Sequence, residues 1–136
     1  MKFRLVSQSK PIIILKAEVN GSEPLDFALD TGASTTVLST QTAEKLGINV
    51  ESLPKEKECC GCSGDKMQAR LASVKSIRVG DAEARDVEVA IMDLTNISKA
   101  VGIELAGIIG YTFMKDYRVV VDYPNKTIHF EKSPQS

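Results

Sequence analysis

The sequence predicts an all-β domain, and three observations carry that prediction. Val (12) and Ile (11) dominate the apolar residues, and these β-branched side chains favour strands. Tight-turn signals punctuate short apolar runs: Asn20-Gly21, Gly80-Asp81 and Pro124-Asn125. One stretch carries clear helix signals, with Ser39 or Thr40 as a cap, Ala43-Glu44-Lys45-Leu46 as its body and Gly47 as its stop.

The elements follow in order. Lys2 to Val6 reads as a short strand or a loose arm. Ile12 to Val19 reads as a strand, and Asn20-Gly21 turns it back into Leu25 to Leu29. Asp30-Thr31-Gly32-Ala33-Ser34 breaks the pattern with small and polar residues before Thr36-Val37-Leu38 resumes it. After the helix, Glu51 to Glu58 is a polar connection holding Pro54, and Cys59 to Lys66 is a hairpin tip with Gly61 and Gly64. Leu71 to Val79 and Arg85 to Met92 are two further strands. Thr95 to Glu104 is a polar loop or a short helical turn. Leu105 to Gly110 is apolar and glycine-rich, and Thr112 to Asp116 suggests a second short helix. Arg118 to Asp122 and Thr127 to Glu131 form a terminal hairpin, with a frayed tail from Ser133 to Ser136. His129 alternates with Ile128 and Phe130 and falls on the polar face. A weak echo runs through the chain: strand, turn, strand, glycine loop and short helix occur over 12–47 and again over 74–116.

Composition narrows the function. The 136 residues make one domain, 1–136, with room for one core but not for two lobes. Seventeen basic against 18 acidic residues leave a net charge of −1, which offers no electrostatic footprint for nucleic acid or an anionic membrane. Tryptophan is absent and aromatics are 5%, so base-stacking platforms are not expected. Ile12 to Leu15 is too short for a signal segment or a membrane span. Three cysteines crowded at 59, 60 and 62 do not resemble a secreted disulfide framework, and a cytoplasmic setting is the default expectation.

Asp30-Thr31-Gly32-Ala33-Ser34 is the sharpest chemical feature. A carboxylate at the end of an apolar strand needs a reason to be there. Alone, the tripeptide is a common polar turn in which Asp30 caps its own backbone. The context is fuller: Ala28-Leu29 precede it, Ile108-Ile109-Gly110 form a second apolar-apolar-Gly segment followed by a short helix, and a glycine-bearing hairpin lies between them. The stretch from Arg118 to Phe130 adds a closing hairpin. On these residues the sequence resembles the retropepsin-like aspartic proteases, including their bacterial single-domain members, over roughly residues 12–131.

The resemblance implies an acid-protease β-barrel with one main short helix and one lobe per chain. It implies an aspartic endopeptidase in which two carboxylates flank one water. At about 3 Å two carboxylates cannot both ionise, so they share a proton. One Asp-Thr-Gly per chain, in a chain too short for two lobes, then requires a homodimer with one Asp30 from each subunit. By the same resemblance, Thr31 reaches across the two-fold axis, Gly32 admits close backbone approach, and Ser34 turns into the loop. Ile108 and Ile109 pack beneath the loop and Gly110 permits the crossing. Ala33 stands where the pepsin-like pattern has Ser, which predicts a mildly acidic optimum above that of the pepsin-like enzymes. Cys60, Gly61, Cys62 and Gly64 are the flap candidates. The substrate would be an extended polypeptide held by β-type hydrogen bonds, with no cofactor and no metal.

Two other readings stand beside this one. The fold could bind peptides or dimerise without cutting. Alternatively Cys59, Cys60 and Cys62 could form a redox or metal module. Zinc needs four ligands and the only histidine, His129, lies far along the chain. A Cys59–Cys62 disulfide would stiffen the hairpin tip, and three reduced thiols are the plainest reading.

Overall fold

The computed structural model describes residues 1–50 and 69–132. The expected connection over 51–58 and the flap candidates Cys60, Gly61, Cys62 and Gly64 lie outside the described residues.

Nine strands and three short helices are present among the described residues: β1 (Arg4–Leu5), β2 (Ile13–Val19), β3 (Leu25–Leu29), β4 (Thr36–Ser39), α1 (Thr40–Lys45), β5 (Arg70–Val79), β6 (Ala82–Met92), α2 (Thr95–Val101), β7 (Gly107–Ile109), α3 (Tyr111–Met114), β8 (Tyr117–Asp122) and β9 (Thr127–Lys132). Strands β2-β3-β7-β4-β6-β5 follow one another, and pairing of β2 with β5 closes them into a six-stranded barrel. β1 and β5 share one edge of β2, β1 at Ile13 and Ile14, β5 at Glu18 and Val19. β8 and β9 form a separate hairpin. The mostly β architecture is the expected one.

Alternation sets the inside of the barrel. Ile13, Leu15, Ala17 and Val19 of β2 enter the main core with Phe27, Leu38, Ile77, Ile91, Ile109 and Phe113, while Ile14 and Ala28 face a smaller cluster on the other side. β4 departs from alternation: all four of its residues are buried, because it lies between β7 and β6 and is covered on both faces. That burial explains why Thr36 can sit in a core strand only with its hydroxyl bonded.

The turns are those the sequence signals. Asn20 and Gly21 both take positive φ, 52° and 75°, which L-residues other than Asn and Gly resist. The Asn20 side chain also accepts from the N–H groups of Lys75 and Ser76, tying the first hairpin to β5. Ser39 caps α1 by accepting from Thr42 N–H at 3.1 Å, and Gly47 at φ 82° follows its end.

Four elements differ from expectation; α3 spans Tyr111–Met114 rather than Thr112 to Asp116. β6 begins at Ala82 rather than Arg85, because Gly80 and Asp81 alone make the turn. Residues 95–101 form a helix longer than α1 by one residue. α2 buries none of its side chains and lacks a side-chain cap, so neither periodicity nor capping marks it in the sequence. Its ending is marked, by Gly102 at φ 83°. At the N-terminus the predicted strand shrinks to Arg4–Leu5, and Lys2 bridges to Thr127 instead.

The echo in the sequence has a structural counterpart. The chain leaves β3 at Leu29, makes the 30–35 loop and returns as β4, with β7 between the two strands. It leaves β6 at Met92, makes the 93–106 connection and returns as β7, with β4 between. Each strand–loop–strand unit thus threads the other.

Candidate active site

Asp30 stands where β3 ends, and its position is fixed through the backbone. Its N–H donates to Ile109 O at 3.0 Å, so β7 holds the start of the loop. Ala33 N–H donates to Asp30 O at 3.1 Å and Gly32 N–H donates to the Asp30 carboxylate at 2.9 Å, which closes a tight turn. The carboxylate itself is exposed, as are Thr31, Gly32 and Ser34, while Ala33 is half-buried. A charged group is thereby held by two backbone anchors yet left open on one side.

The second apolar-apolar-Gly segment meets this loop. Ile109 is fully buried in the main core and Ile108 is half-buried between the smaller clusters. Gly110 passes so close to the loop that a Cβ there would stand 2.5 Å from Thr35 O and 3.0 Å from Ala33 O. Tyr111 N–H, the next donor along, reaches Ala33 O at 2.9 Å. The structure therefore brings together Asp30, Thr31, Gly32, Ala33, Ser34, Ile108, Ile109 and Gly110.

Two residues that sequence reasoning passed over complete the arrangement. Thr36 is fully buried; its Oγ1 accepts from Gly110 N–H at 3.1 Å, and its own N–H donates to Thr112 Oγ1 at 2.9 Å. Thr112 Oγ1 in turn donates to Glu88 O at 2.8 Å. This chain of hydroxyls locks β4, the turn after β7 and β6 behind the exposed carboxylate. The available signal was a Thr inside an otherwise apolar run, and a Thr two residues after Gly110.

Two clefts formed by the described residues lie away from Asp30. One of about 350 Å³ is lined by Lys16, Asp26, Lys45 and Glu104, and another of about 350 Å³ by Leu94, Ser98 and Ile103. Asp30 lines neither. A single exposed carboxylate on an open surface can accept or release one proton, but it cannot by itself form a proton-sharing pair. Among the described residues no group of three metal-ligating side chains converges, and no helix is long and apolar enough to cross a membrane.

Interlocked strand–loop–strand units with Asp-Thr-Gly on the first loop define an acid-protease lobe of the retropepsin-like kind. The chain belongs to the aspartyl protease family, whose model matches residues 15–113. Among solved structures it is similar to a retropepsin-like aspartic protease from Rickettsia conorii, at 19% identity and a TM-score of 0.68, covering 92% of this chain and 86% of that one. It is also similar to the retroviral protease-like domain of Ddi1 from Leishmania major, at 11% identity and a TM-score of 0.58, covering 91% and 95%. A third match is EIAV protease complexed with the inhibitor HBY-793, at 21% identity and a TM-score of 0.52, covering 76% and 85%. No significant match is found among curated protein sequences.

Proposed function

We propose that this chain is an aspartic endopeptidase whose hydrolytic centre is assembled from Asp30 of two copies. The observation that carries the proposal is the Asp30 carboxylate itself, exposed and backbone-anchored at the end of β3. Two such carboxylates related by a two-fold axis would hold one water between them and share one proton. The ionised member takes a proton from the water as the water oxygen attacks the peptide carbonyl carbon. The protonated member gives its proton to the carbonyl oxygen, leaving a tetrahedral diol. Collapse of the diol breaks the C–N bond, and a proton passes to the departing amine. Neither metal nor cofactor is called for.

In this reading Thr31 faces the partner loop, Ser34 turns away into its own loop, Gly32 keeps the turn narrow, and Ile108, Ile109 and Gly110 support the loop from below. The substrate is an extended polypeptide. Incubating the protein with an unstructured protein substrate, beside an Asp30→Asn variant, tests the assignment. Cleavage by the wild type and none by the variant is expected. Equal cleavage by both would remove Asp30 from the chemistry.

A further inference from the structure

The three strands that hold the Asp30 loop meet again at their far ends. β3 begins at Leu25, β4 ends at Ser39, and the chain enters β7 through Leu105 and Ala106. All four residues line one cleft of about 350 Å³. Backbone bonds tie these ends together: Ala106 N–H donates to Asp26 O and Ser39 N–H donates to Ala106 O, both at 2.8 Å. The second cleft adjoins the first, because Ser39, Glu104 and Leu105 line both. Each is large enough for a small ligand.

Polar groups on this lining are unevenly matched. Asp26 meets two cations, Arg4 at 3.1 Å and Lys16 at 2.7 Å, although its Oδ1 accepts no well-directed hydrogen bond. Lys45, Glu23 and Glu104 form no ion pair among the described residues. Ser39 and Thr42 are only 4% and 7% exposed. Ser39 Oγ donates to Thr42 Oγ1 at 2.7 Å and accepts from Thr42 N–H at 3.1 Å. The Thr42 hydroxyl is thus an acceptor, and its own proton meets no acceptor among the described residues. A buried donor in that state calls for a partner from outside the fold.

Thr42 and Lys45 stand three residues apart on α1 and share one face of it. A hydroxyl donor beside an unpaired cation suits a carboxylate. Glu104, on the rim common to both clefts, suits an ammonium. The adjoining cleft suits an apolar group, with Leu94 and Leu105 each 2% exposed and Ile103 half-buried. We infer that the joined clefts bind a small zwitterion with an apolar side chain, a free amino acid or a short peptide. Its carboxylate accepts from the Thr42 hydroxyl and faces Lys45, its ammonium faces Glu104, and its side chain lies against Leu94, Ile103 and Leu105. A cation alone leaves Thr42 and Lys45 unanswered, and an anion alone sets like charge against Glu23 and Glu104. The site goes beyond the proposed function, since it uses neither Asp30 nor a second copy.

An NMR titration of the full chain tests the inference, carried out on Asp30→Asn so that no ligand is turned over. Leucine or leucyl-leucine should give saturable shifts at Thr42, Lys45 and Glu104 in the millimolar range, and the tighter of the two names the source. Leucinamide and N-acetyl-leucine, each lacking one charge, should bind about threefold to tenfold more weakly than leucine. Lys45 and Glu104 are exposed, so substitution there leaves the core untouched. Lys45→Met should weaken leucine by a similar factor and leave leucinamide unchanged. Glu104→Gln should weaken leucine and leave N-acetyl-leucine unchanged, as paired partners do. No saturable shift at the clefts up to about 100 mM ligand, shifts confined to the Asp30 loop, or blocked ligands that bind as tightly as leucine would each overturn the inference.

Discussion

The two threaded loops start alike and end differently. Asp30 follows Leu29 at the end of β3; Asp93 follows Met92 at the end of β6. In both, the carboxylate accepts from the N–H two residues on, Gly32 at 2.9 Å and Thr95 at 2.9 Å. Asp93 accepts a second bond, from the Thr95 hydroxyl at 2.5 Å, and the chain then enters α2. Asp30 has a glycine at the equivalent step, and the chain turns back at once through Ala33. The same Asx turn is reinforced by a hydroxyl in one loop and rests on the backbone N–H of a glycine in the other. The hydroxyl that occupies Asp93 is the difference.

Charge removal breaks the comparison most sharply. Asp30→Asn should lower cleavage by about 10²–10⁴-fold, the range for loss of a general acid or base, while Asp93→Asn should leave the rate within about twofold. Comparable losses in both, measured on one unstructured substrate, would abolish the distinction.

The glycines differ in the same direction. Gly110→Ala drives a methyl into Thr35 O, which is backbone and cannot swing aside, and should cost about 3 kcal/mol of stability or prevent folding. Gly102, which ends α2, has open space around it and only its φ of 83° to defend. Gly102→Ala should cost about 1 kcal/mol. Urea unfolding of both variants ranks them.

Thr36→Val strips a buried acceptor from Gly110 N–H and should destabilise by about 1–3 kcal/mol. The same technique checks it, with exposed Thr95→Val at the start of α2 as the near-neutral counterpart.

The smallest effect is a titration. Bonds from the Thr95 side chain, then from its backbone, hold Asp93 below its ordinary value of 3.8, against a weaker opposing effect of desolvation. A lowered folded value means the unfolded chain binds the proton more tightly. The stabilisation is therefore present above about pH 4 and is lost as pH falls through the folded value. Thr95→Val should move the Asp93 carboxyl resonance upward in pH, toward the ordinary value, and an unmoved titration would show that the hydroxyl does not hold it.

Much of this was legible in advance, for identifiable reasons. Strands announced themselves where one face is buried and turns need positive φ, as at Asn20-Gly21. The loop at Asp30 and its support at Ile108-Ile109-Gly110 were visible because close backbone approach demands Gly and a barrel floor demands apolar residues. α2 was not legible beyond one of two readings of 95–104, a loop or a short helical turn, since a short helix that buries no side chain leaves no periodic trace. Nor were Thr36 and Thr112, whose roles depend on hydroxyls meeting across strands distant in sequence. The parallel between Asp30 and Asp93 also needed the fold, because it lies in which N–H each carboxylate accepts from.

Subunit mixing tests the shared centre most directly. Wild type and Asp30→Asn are combined at constant total protein, allowed to exchange, and assayed on an unstructured substrate. If hydrolysis needs one intact Asp30 from each of two copies, an equal mixture retains about one quarter of the wild-type rate, the statistical share of wild-type pairs. A rate of about one half, linear in the wild-type fraction, would mean that each chain acts alone and would contradict the account.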